Sequence, residues 1–97
     1  MSEEYIFFKN RFRRRRKDML DEIERRTRYS VRPTDVMCLT WYIKQSLDNM
    51  RSDVDESILC INSLSTRECK VLYNYIKLLE EYMWNRLYDI AGKEVSN

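Results

Sequence analysis

Residues 9–17 read KNRFRRRRK and hold seven cations, one aromatic, Phe12, and no anion. Guanidinium and ammonium groups at this density do one kind of chemistry well. They hold anions, Arg as a planar fork that matches phosphate or carboxylate and Lys as a point charge. The candidate nucleic-acid-binding residues are therefore Lys9, Arg11, Arg13, Arg14, Arg15, Arg16 and Lys17. At about 100° per residue they point all round a helix, so the expectation is that no core covers this stretch. It would stand in water or lie on something anionic. Nucleic acid, DNA or RNA read without sequence preference, is the first choice, because the run offers many phosphate grips and only Asn10 to read a base edge. An acidic groove on a partner protein is the alternative. A solvated charged helix, or a signal read by transport receptors, is the bland reading.

The remaining inventory argues against an enzyme. The chain has no His and a single Gly, Gly92, which removes the commonest general base, the commonest neutral metal ligand and any glycine-rich phosphate loop. A nucleophilic Cys would have no base beside it. Asp53, Asp55 and Glu56 form the densest acidic cluster, but without EF-hand spacing or a glycine turn they read as a helix start. No catalytic residue, metal or cofactor is expected.

Aromatic residues are the second unusual feature. Seven Tyr, three Phe and two Trp exceed what one small core needs. Tyr5, Phe8 and Phe12 on the basic helix, and Tyr75, Tyr82 and Trp84 near the C-terminus, are candidate partner-binding anchors. The second group belongs to an extra apolar face with Val71 and Leu78, suited to a larger protein or to a second copy of this chain. The competing reading is a broad core face with tyrosines at its edges.

These residues must be carried by helices. One Gly and one Pro leave little turn chemistry, and long stretches carry good helix formers. The expected fold is all-α, a small bundle of about four helices in one domain over 1–92, with a long basic N-terminal helix, a long C-terminal helix and a disordered tail at 93–97. Ser2 caps a first helix at about 3–28, with Tyr5, Phe8, Phe12, Met19 and Ile23 at helical spacing. Pro33 ends it, and Thr34 caps a second helix at about 35–50, whose stripe Val36, Leu39, Ile43, Leu47 and Met50 is widened by Trp41 and Tyr42. Ser52 with Asp55 resembles a capping box and opens a short helix at about 53–62. Ser65 with Glu68 is the better box, with Leu64 stapling onto Cys69, and the helix it starts runs over about 66–91 on Leu72, Ile76, Leu79, Met83, Leu87 and Ile90, with Gly92 as its C′ residue. The last three helices should carry the core, and the first should pack mainly through its second half. A DNA-reading helix-turn-helix at the second junction is rejected, since Asp53, Asp55 and Glu56 would meet phosphates with like charge.

The net charge of +2 is uneven: +5 through Arg32 and −3 from Pro33 onward. Three cysteines without a CxxC pair point to a reducing compartment and to thiols used for packing, with a Cys60 to Cys69 bridge the minority reading. No secretory signal and no apolar run of about 18 residues is visible, so the expected place is intracellular, cytoplasmic or nuclear, without a membrane span. The stretch LSTRECKVLYNYIKLLEEYM at 64–83 is loosely similar to the closing helix of the α-helical domain in GINS replication subunits. The similarity covers a capping box and helical periodicity, while the N-terminal half departs from that family, and no residue or activity is carried across. The functional expectation is a non-enzymatic accessory or adaptor subunit that grips nucleic acid with its basic helix and docks on a larger protein complex.

Overall fold

The computed structural model describes residues 2–59 and 64–95, the side chains of 93–95 excepted. It contains three helices among the described residues: α1 (Glu3–Thr27), α2 (Pro33–Leu59) and α3 (Thr66–Val95). Short connections turn the chain back on itself twice, so the helices run up, down and up in a rod of 52 × 16 × 16 Å, each touching both others.

Three helices replace the expected four because 35–50 and 53–62 are not separate. Ser52, read as a cap, is an exposed mid-helix residue of α2. Neither Gly nor Pro interrupts this stretch, and the buried stripe Leu39, Ile43, Leu47, Met50 and Val54 keeps its three-to-four spacing through the proposed break. Breaking the helix there would give up i→i−4 bonds and turn Val54 away from the core. The end of the expected short helix, with Ile61 and Cys60, lies outside the described residues. Of the other thiols, Cys38 is free and exposed and Cys69 is free and buried.

A second correction concerns α1, which packs along its whole length. Tyr5 and Phe12 in its first half are as buried as Met19 and Ile23 in its second. A bundle of three asks each helix for one narrow stripe. Tyr5, Phe8, Phe12, Met19 and Ile23 supply it however many cations occupy the rest of the circumference.

Helix starts follow local chemistry. Ser2 Oγ accepts from Tyr5 N–H at 3.2 Å, and at α3 the Ser65 box closes in both directions. Glu68 N–H donates to Ser65 Oγ at 3.1 Å, and Ser65 N–H donates to Glu68 Oε1 at 2.9 Å. At α2 the cap is not Thr34. Pro33 takes the first helical position, where its missing N–H costs nothing, and Asp35 reaches back to accept from Arg32 N–H at 3.1 Å. That backbone donor, together with the Arg32 and Arg26 guanidiniums, holds the buried Asp35 carboxyl below its ordinary range. Further along, Arg51 Nη2 meets Glu80 Oε2 at 2.8 Å and Tyr73 donates its hydroxyl proton to Asp55, both tying α2 to α3. Gly92 lies within helical α3 instead of capping it, and apart from its chain neighbours and its own helix backbone nothing stands within 4 Å of where a Cβ would be.

Glu68 also fastens α1 to α3, because Ser2 N–H and Ser2 Oγ–H both donate to Oε2 at 3.0 Å. Backbone donors from Ser65 and Ser2 lower its pKa to about 2. A carboxylate whose folded pKa lies below its unfolded value stabilises the fold above the unfolded value, and loses that contribution as pH falls through the folded one. The unfolding temperature should therefore drop as pH goes from about 5 toward 2. In Glu68→Gln that slope should be shallower, a difference that thermal melts across this range would read directly.

Candidate nucleic-acid interface

Packing divides the basic run between the two flanks and the crest of α1. With the Tyr5, Phe12 and Met19 seam facing inward, the helical repeat sets Arg11 and Arg15 toward α2, Lys9, Arg13 and Arg16 toward α3, and Arg14 and Lys17 outward. Six of the seven are exposed, and Arg15 is half-buried.

On the α2 flank, Arg11 Nε stands 3.3 Å from Asp53 Oδ2. The contact lacks hydrogen-bond alignment, leaving that oxygen buried without a donor. Arg15 takes a seam position one heptad after Phe8, so its stem lies against the core and its Nε is buried without a partner. Its charge acts on Tyr42 of α2. Burial and the nearby Asp18 and Glu22 carboxylates push the Tyr42 hydroxyl pKa up, and Arg15 opposes them. Arg11, Arg14 and Arg15 line a groove of about 410 Å³ with Phe7, Asn10 and Asp18.

On the α3 flank, the Arg16 guanidinium sits 5.9 Å from the centre of the Tyr82 ring, and Lys9 Nζ lies the same 5.9 Å from that of Tyr5. Both distances are at the outer edge of useful cation–π attraction. A narrower recess between Lys9, Arg13 and the α3 residues Val71 and Tyr75 opens on this side.

Arg11 is the one cation of the run with a carboxylate partner among the described residues. The other arginines of α1, α2 and their junction differ from the run, while Arg67 and Arg86 of α3 have no such partner among the described residues either. Arg25, Arg26, Arg28, Arg32 and Arg51 are each matched to an Asp or Glu within α1, α2 or their junction. These pairs are local, three or four residues apart, and the run from 9 to 17, which contains no anion, is left with a net positive charge.

The proposed partner anchors fare unevenly. Tyr5 and Phe12 are already occupied by the protein's own core, at 5% and 0% exposure, so neither is free for a partner. Phe8 is half-buried, with its ring centre 6.0 Å from that of Phe12. Tyr82 is exposed and Tyr75 half-exposed on the α1 side of α3, with Val71 and Leu78 beside them. Trp84 does not share their face. It turns about 200° away from Tyr82 into a groove of about 440 Å³ with Val36, Leu87 and Tyr88, between α2 and α3. Trp41, expected to widen the core, points out at 65% exposure next to Met37. Phe7, expected with Tyr5, Phe8 and Phe12 to stack on bases or dock on protein, is 57% exposed beside the cations. The signal was in the sequence, since position 7 lies opposite the 5, 8, 12 seam. Among the described residues no group of three potential ligands could hold a metal ion, and no helix is long and apolar enough to cross a membrane.

Fold and site together define an antiparallel three-helix rod bearing a basic ridge along one helix. No family model, no curated protein and no solved structure matches this chain.

Proposed function

We propose that this chain is a non-enzymatic accessory subunit that holds nucleic acid through phosphate contacts from α1, without strong sequence preference. One observation carries the reading: Lys9, Arg13, Arg14, Arg16 and Lys17 are exposed on a helix packed along its length, with no carboxylate partner among the described residues. Cations fixed on a helix meet phosphates without first losing the freedom of a disordered arm. Helical spacing repeats them every turn, about 5.4 Å along the axis, close enough to follow a backbone. Docking on a larger protein belongs to the opposite end of the rod, where Met37, Trp41 and Tyr88 are 70%, 65% and 78% exposed.

Salt tests the phosphate reading. Binding that releases about five counterions gives a log–log slope near −4 to −5 on duplex DNA. Fluorescence anisotropy of a labelled duplex, titrated at several salt concentrations, should show that slope and little change between unrelated sequences. A slope near zero, or no binding at low salt, would remove phosphate contact as the basis of function.

A further inference from the structure

We infer that the groove between α1 and α3 selects single-stranded nucleic acid over duplex, with phosphates on Lys9, Arg13 and Arg16 and bases laid against Tyr75 and Tyr82. This rests on the phosphate reading above and adds which form of the polymer the site takes. The groove has two unlike walls. From α1 come Lys9, Arg13 and Arg16, all exposed. From α3 comes an apolar strip at positions 71, 75, 78 and 82, in which Val71, Leu78 and Tyr82 are 45%, 56% and 44% exposed. Between the walls lies a recess of about 130 Å³ lined by Phe12, Val71, Leu72 and Tyr75, with Lys9 and Arg13 beside them. It is well below the roughly 300–1,000 Å³ of ordinary small-molecule pockets, a size for one flat ring and not for a cofactor.

A duplex has no use for the apolar wall. Its bases are stacked on one another, and it presents phosphates, sugars and groove edges to a protein. Duplex on this ridge would engage the cations and leave Val71, Leu78 and Tyr82 against water. A single strand satisfies both walls, because its unstacked bases have free faces for aromatic rings while its backbone follows the positive row. Arg16 over the Tyr82 ring already places a guanidinium at the rim of that platform.

The walls also argue against other occupants. Neither the α1 flank at 6, 9, 13, 16, 17 and 20 nor the α3 strip at 71, 75, 78, 82 and 86 contains an Asp or Glu. A second copy docked about a two-fold axis would set these cations against themselves. An acidic peptide could answer the charge, but its carboxylates leave the recess unfilled, whereas every nucleotide brings a flat ring along with its phosphate.

The test compares labelled oligothymidylate with a mixed-sequence duplex of equal length, for the wild type, Tyr82→Ala and Tyr82→Phe, with circular dichroism confirming the fold of each. Expected are at least about tenfold tighter binding of the single strand, and a loss of about tenfold in Tyr82→Ala on the single strand alone. Tyr82→Phe, which keeps the ring, should retain the affinity. Equal binding of both forms, or a Tyr82→Ala effect of the same size on each, overturns the single-strand inference and leaves the phosphate reading standing. Failure of both oligonucleotides to bind at low salt overturns the phosphate reading as well. Labelled polyglutamate binding as tightly as oligothymidylate would assign the groove to an acidic protein segment and overturn the inference.

Discussion

The triple substitution Arg13→Glu, Arg14→Glu and Arg16→Glu is expected to weaken nucleic-acid binding by at least about 100-fold at moderate salt while leaving the helical rod intact. Each reversal removes a phosphate grip and adds a like charge facing the polymer, and losing three of about five contacts should also flatten the salt slope by about three. The fold should tolerate it. All three side chains are exposed, Glu is nearly as good a helix former as Arg, and surface changes of this kind usually stay within about 0.5 kcal/mol. Arg16 alone gives up a contact, its weak approach to Tyr82. Anisotropy titrations of wild type and variant, beside their thermal melts, separate the two effects. A variant that melts like the wild type and still binds equally well would show that these cations have no part in binding.

The second large effect lies in the same stretch and is one of stability. Phe12 is fully buried although three of its four nearest neighbours in sequence, Arg11, Arg13 and Arg14, are arginines. Phe12→Ala should destabilise the protein by about 3–5 kcal/mol through lost burial and the cavity left behind. Against the roughly 5–15 kcal/mol that holds a domain of this size together, that is a large share. At about 4–8 °C per kcal/mol the melting temperature should fall by well over 10 °C. Neighbouring Arg13→Ala should barely move it. Equal melting of Phe12→Ala and wild type would mean that α1 stands off the body as a detached arm.

That contrast between adjacent residues also explains what the sequence made legible. Most of the stripes of α2 and α3 could be read: Leu39, Ile43, Leu47 and Met50, then Leu72 through Ile90, are buried, because helical periodicity reports burial directly, whereas Val36 is only half-buried and Trp41 and Ile58, expected inward, are exposed. The Ser2 and Ser65 caps were readable from two or three residues each. Ser52 failed because a serine three before an acid satisfies a box only if the chain leaves the helix there, and the Met50 to Val54 stripe kept it in. The first helix was misjudged by counting cations round its whole circumference, when packing depends only on the seam. Ion pairs such as Arg11 with Asp53 and Arg51 with Glu80 depend on how two helices slide past each other, which no single stretch encodes. The same limit hid the groove in which Tyr82 meets Arg16. The cationic run and the apolar face of Val71, Tyr75, Leu78 and Tyr82 could each be located from the sequence, and their meeting in one groove only from the packing of α1 on α3.

The central claim, that Arg13, Arg14 and Arg16 are free to take phosphate while Arg25, Arg26 and Arg51 are held by carboxylates, is most directly tested by nuclear magnetic resonance of the arginine side-chain Nε–Hε groups during titration with an oligonucleotide. The signals of Arg13, Arg14 and Arg16 should shift and sharpen as phosphates engage them, while those of Arg25, Arg26 and Arg51 stay in place. Shifts confined to the paired arginines, or none anywhere at low salt, would contradict it.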